Sequence, residues 1–143
     1  GEPTVPRMGS VDAFLINARL EHCAYQAEQR RNIAHIYRTM LAGKLRMQQL
    51  VRGAKSVYSQ LVVALPRSRE RGKVVARLRE LNIPAGAPFC GMQTDRDPWN
   101  RVMLVNALSL AGRLLSLPIH PYLSPHLTEH IARCLLQAMD ECN

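Results

Sequence analysis

Aromatic side chains are scarce: one Trp, four Tyr and two Phe in 143 residues. A core must therefore be aliphatic, built from Leu, Val, Ile, Met and Ala. No aromatic is interleaved with the basic residues of 67–79, so nucleic-acid bases would find no stacking platform there. Period-two alternation is absent over any useful length, so no strand is expected. No Cys-x-x-Cys pair occurs among Cys23, Cys90, Cys134 and Cys142, and their spacings match neither a disulfide framework nor a zinc ribbon. Reduced thiols and an intracellular setting, cytoplasmic or nuclear, are the expectation. No signal peptide is read. The most apolar run, 102–117, is too short for a membrane span and is broken by Asn106, Ser109 and Arg113. The phosphate loop G-x-x-x-x-G-K-S/T, the nucleophile elbow G-x-S-x-G and the dinucleotide loop G-x-G-x-x-G are all missing. These absences point away from an enzyme and imply no cofactor.

What is present reads as helix. Residues 1–10, with Gly, Ser and two prolines, are expected to be a disordered tail, and 11–143 a single domain. Ser10 is placed to cap a helix, with Asp12 in its first turn. Residues 11–42 contain no Gly or Pro, and Ile16, Leu20, Cys23, Ala27, Ala34, Leu41 and Leu45 recur at helical spacing. Gly43 is the natural place for that helix to bend or stop. In 44–65, Met47, Leu50, Val51, Ala54, Tyr58, Leu61, Val62 and Leu65 follow a helical stripe ended by Pro66. Whether 11–65 is one bent helix or two stays open, because Gly43 and Gly53 each cost about 1 kcal/mol inside a helix. A short helix is expected from Ser68 to Leu81, stopped by Asn82 and Pro84, with a loop over 83–96. Asp97-Pro98 and Ser124-Pro125 are helix starts. They predict a nearly all-apolar helix over 99–117 and a last helix over 125–142, with Leu127, Ile131, Leu135 and Ala138 inward. The fold class expected is all-α, a bundle of about five helices around a buried central helix at 99–117.

The charge is concentrated. Residues 43–82 hold ten basic and two acidic side chains, a net +8, and the rest of the chain sums to zero. Arg67, Arg69, Arg71, Lys73, Arg77 and Arg79 crowd one stretch, with Arg52 and Lys55 before it. Guanidinium forks suit phosphate and carboxylate, so an anionic partner is the functional reading, although a charge run is more often only a solvated face. Trp99 and Met92, near the loop, are candidates for anchoring a partner helix, or else for a lid over the core. The expected function is a non-catalytic adaptor module whose partner is an acidic protein segment or a helix. The alternative is a domain that binds a nucleic-acid backbone.

His126-Leu127-Thr128-Glu129-His130 spells H-x-x-E-H, but the motif stands close to the end of the sequence, and a chain of this size leaves little room for a peptide cleft. His126, His130 and Cys134 share a helical stripe that could bind a transition metal. No metal is expected to be needed for folding. The P-x-x-P match at Pro118–Pro121 reads as a rigid connection.

Overall fold

A computed structural model describes residues 9–66, 70–88 and 105–142. The Gly- and Pro-free stretch forms one helix, α1, Ser10–Leu41, capped by Gly9 rather than by a side chain. It stops as the sequence predicts: Gly43 has φ +73, a left-handed conformation that suits glycine. The Leu41 carbonyl accepts from both Lys44 N and Leu45 N at 3.1 Å.

Beyond α1 the all-α expectation fails. Residues 44–65 are neither a second helix nor a continuation of α1. They contain β1 (Arg46–Met47), an irregular loop, and β2 (Leu61–Ala64). Gly53 has φ +82 and Tyr58 φ +45, and neither value fits a right-handed helix. The buried central helix at 99–117 is corrected in the same way. Residues 99–104 lie outside the described residues; of the rest, helical structure is confined to α3 (Val105–Ala111), where Leu110 is exposed, and 114–117 is a strand, β3 (Leu114–Leu117). The three strands form an antiparallel sheet in the order β1-β2-β3, with Met47 opposite Val63 and Val63 opposite Leu115. Gly86 adds an isolated bridge to Ser116.

The sheet has one buried face. Leu61, Val63, Leu65, Leu115 and Leu117 point into the core, while Val62, Leu114 and Ser116 are half-buried. Helices cover the buried face: α1, α2 (Arg71–Glu80) and α4 (Pro125–Glu141). From α1 come Ile33, Ala34, Tyr37 and Leu41; from α2, Val74 and Leu78; from α4, Ile131, Leu135 and Ala138. The architecture is mixed α/β, a small sheet with helices on one side. Each fully buried Leu or Val contributes about 1.5–3 kcal/mol relative to exposure, so β2 and β3 are core elements despite their brevity.

Several local readings hold. Asn82, at φ +58, ends α2, with Ile83 N donating to Leu78 O at 2.9 Å. The Ser124 hydroxyl accepts from Leu127 N at 3.2 Å and caps α4, with Pro125 in the first turn. Leu127 itself is exposed, contrary to the inward line expected for it. The Tyr37 hydroxyl is fully buried and donates to Pro118 O at 3.0 Å, which ties α1 to the segment leaving β3. Burial pushes the Tyr37 phenol well above its ordinary range, so it stays neutral.

The first half of α1 departs from expectation. Ile16, Leu20 and Cys23 were expected to face inward, and all three are exposed, because none of the described residues packs there. No helix among the described residues is long and apolar enough to cross a membrane.

Candidate functional site

The described members of the basic set singled out by the sequence have different surroundings. Arg71 is half-buried and structural: its Nη1 donates to Ala111 O at 2.6 Å, pinning α2 to the end of α3. Arg77 bridges Glu80 at 2.9 Å and Glu141 at 2.8 Å, which joins α2 to α4. Its hydrogen bonds to those two carboxylates hold its pKa above the usual arginine value. Glu141 is held below the usual carboxylate range, first by the Gln137 amide and then by Arg77. Lys73 and Arg79 are exposed on α2, and Arg52 is exposed in the turn before Gly53. Arg67, Arg69, Met92 and Trp99 lie outside the described residues.

Arg79 borders a shallow pocket with Asn82, Ile83, Pro84 and Ala85, whereas Lys55 enters a concave site beside basic residues the sequence reading had passed over. Arg31, His35 and Arg38 stand at i, i+4 and i+7 on one stripe of α1. With Lys55, Leu50 and Tyr58 from the β1–β2 loop they line a pocket of about 610 Å³. A second pocket, of about 690 Å³, shares Arg38 and Gln49 with the first and adds Arg46. The two therefore form one trough along α1. Two guanidinium groups pin the loop that makes its outer wall. Arg38 Nη2 donates to Gln48 O at one end, and Arg31 Nη1 donates to Ser56 O at 3.5 Å at the other. A sequence signal for this site exists. From residue 29 to residue 69 there is no Asp or Glu, while nine Lys and Arg occur. The charge count had drawn its boundary at residue 43 and left Arg31 and Arg38 outside.

The histidine stripe on α4 does not assemble. Cys134 Sγ lies 3.5 Å from His130 Nε2, but His126 is exposed. No cluster of three potential metal ligands occurs among the described residues.

Comparison with known proteins decides the family. The sequence model of the DegT/DnrJ/EryC1/StrS aminotransferase family matches residues 4–136. The chain belongs to this family. The adaptor reading and its nucleic-acid alternative are thereby overturned, as is the expectation of a non-enzyme, since the family is one of aminotransferases. Solved aminotransferases share the fold of this family member. The PLP form of a Streptococcus pneumoniae protein named as a sugar aminotransferase matches with TM-score 0.85 at 14% identity, over 96% of this chain and 37% of that one. A DegT/DnrJ/EryC1/StrS aminotransferase from Brucella abortus matches with TM-score 0.79 at 23% identity, over 96% and 39%. Helicobacter pylori PseC, an aminotransferase involved in the biosynthesis of pseudoaminic acid, matches with TM-score 0.82 at 16% identity, over 94% and 38%. The chain thus spans little more than a third of the length of these relatives. No curated protein sequence matches it.

Proposed function

We propose that this chain is one folded part of an aminotransferase that delivers an amino group to a sugar with the help of pyridoxal phosphate. The observation that carries the reading is the family match across residues 4–136. The sugar and the cofactor come from the names of the solved relatives.

The described residues do not themselves make a pyridoxal phosphate site. Such a site needs a lysine for the imine and a carboxylate or arginine at the ring nitrogen. Lys44, Lys55 and Lys73 are all exposed, and no Asp or Glu lines the trough that holds Lys55. The lysine that carries the cofactor is accordingly assigned to other parts of the enzyme, and this chain contributes a docking body.

The first half of α1 supports that role. Val11, Phe14, Leu15 and Tyr25 run along one side of it, and Ile16, Leu20, Cys23 and Ala27 along the opposite side. Phe14 is 72% exposed and Val11 71%. A helix apolar on two opposite sides is built to be enclosed. On this reading the remainder of the enzyme encloses it. The thiols of Cys23, Cys134 and Cys142 are free, in keeping with an intracellular setting.

The test supplies the subunit that contains this chain with pyridoxal phosphate, a ¹⁵N-labelled amino acid and a panel of keto-sugars, and follows label transfer by mass spectrometry. Label should appear on the sugar. Phe14→Glu with Leu20→Glu should reduce transfer by weakening assembly while leaving the core of this domain folded. A subunit that binds pyridoxal phosphate yet transfers no nitrogen to any sugar would refute the proposal.

A further inference from the structure

We propose that the trough beside α1 is a binding site for a phosphoryl group, free or carried on a small organic molecule. The argument rests on the charge and shape of the trough and not on the aminotransferase reading.

Charge accounting comes first. Arg31 is neutralised by Glu28, whose Oε2 accepts from Nη2 at 2.6 Å and from Nε at 2.9 Å. Arg38, Arg46 and Lys55 have no ion pair among the described residues. Among the described residues no acidic side chain lines either half of the trough. The described walls come from the acid-free run of residues 29–69, and Glu28, just before it, pairs with Arg31 and leaves Arg38, Arg46 and Lys55 without a carboxylate partner among the described residues. Cations gathered without a counter-charge raise the local potential and draw an anion in.

Shape comes second. Arg31 and Arg38 lie roughly 10 Å apart along the helix axis, at about 1.5 Å per residue. Arg38 sits where the two pockets meet, and Lys55 faces it from the loop side of the first. The hydrogen bond from Arg38 to the Gln48 carbonyl uses one of five guanidinium donors and fixes the side chain, so the remaining donors are pre-organised. Opposite α1 the loop is held by Gly53 and Tyr58 in left-handed conformations and by a bond from Tyr58 N to Ser56 Oγ at 3.1 Å. The Tyr58 ring is buried and Leu50 lies beside it, giving an apolar wall for the organic part of a ligand.

Chemistry selects the anion. A phosphate monoester carries about −1.5 to −2 at neutral pH and offers three acceptor oxygens, against one charge for a carboxylate. It suits an arginine fork and an ammonium group converging from two walls. Pyrophosphate has two such groups and can use both Arg38 and Lys55.

The experiment titrates the purified protein with inorganic phosphate, pyrophosphate, glucose 6-phosphate and succinate at fixed ionic strength, using calorimetry. Pyrophosphate should bind saturably with one site. Lys55→Gln, which touches an exposed side chain and no core contact, should weaken it about tenfold, the loss typical of one charged hydrogen bond. Lys73→Gln removes the same charge from α2, outside the trough, and should leave the affinity unchanged. Tighter binding of glucose 6-phosphate than of inorganic phosphate would assign the site to an organic phosphate, and the reverse to the free ion. The proposal is overturned if no phosphoryl compound saturates, if succinate binds as tightly as pyrophosphate, or if Lys55→Gln and Lys73→Gln weaken binding equally.

Discussion

Tyr37 offers the sharpest test of how the two ends of this fold are joined. Its ring is wholly buried between α1 and the sheet, and its hydroxyl donates to the carbonyl of Pro118, just past β3. Tyr37→Phe keeps the ring and removes the bond. A net hydrogen bond is worth about 0.5–1.5 kcal/mol, and a stranded buried acceptor adds to that loss. Pro118 is half-buried, so water partly replaces the lost donor, and the expected cost is about 1 kcal/mol. Tyr37→Ala also empties the ring's volume and should cost about 3–5 kcal/mol. Urea unfolding reads both as lower midpoints at an unchanged slope. The pH dependence adds an independent check. The folded phenol is held well above its ordinary value of 10 by burial, so in the folded state it keeps its proton where the unfolded chain would lose it. Its contribution is complete below about pH 10 and is lost as the pH rises past that value. Tyr37→Phe should therefore flatten the alkaline loss of stability. If Tyr37→Phe is neutral at every pH, or as damaging as Tyr37→Ala, the assigned role of the hydroxyl is wrong.

Two further outcomes test the strand and cap assignments. Leu115→Ala should cost about 2–5 kcal/mol, and Leu114→Ala clearly less, because Leu115 is fully buried on the inner face of the sheet while Leu114 is half-buried on the outer. Equal losses in chemical denaturation would contradict the strand register. Ser124→Ala should lower stability by about 1 kcal/mol through loss of the α4 cap, and Ser124→Asp should restore most of it in the same thermal melts.

Three helix ends were legible because each carries a local chemical signal. Gly43 and Asn82 adopt positive φ where helices stop, and Ser124-Pro125 starts one. The strands carried none. Leu61–Leu65 and Leu114–Leu117 are short apolar runs, each followed by proline, and such runs read equally well as pieces of buried helix. Alternation is masked because Val62 and Leu114, on the outer side of the sheet, are apolar too. Part of the supposed helical stripe in 44–65 is core after all: Leu61 and Leu65 are buried, while Leu50 and Val51 of the same stripe are exposed. Charge was legible as a quantity but not as a place. Arg71 and Arg77 are spent on Ala111, Glu80 and Glu141, while the trough draws on Arg31 and Arg38, which only the folding of the loop back onto α1 brings beside Lys55. The enzyme family was beyond such reasoning, because the phosphate-loop, nucleophile-elbow and dinucleotide-loop motifs sought in the sequence are not signals of an aminotransferase.

The clasp at the end of β2 has a consequence for how this sequence can change. Leu65 N donates to Arg113 O at 2.9 Å, and Arg113 Nε returns a bond to Leu65 O at 2.7 Å, across a separation of 48 positions. Everything between those two residues is a closed excursion whose ends are fixed by the sheet. Doubling the length of such an excursion costs only about 0.6 kcal/mol of closure entropy. Changes of length between Pro66 and Arg113 are therefore cheap in closure entropy, provided α2, the buried Ile83 and the Gly86–Ser116 bridge are spared. Lineages that diverge in what they recognise can remodel this stretch while the sheet beneath keeps its register.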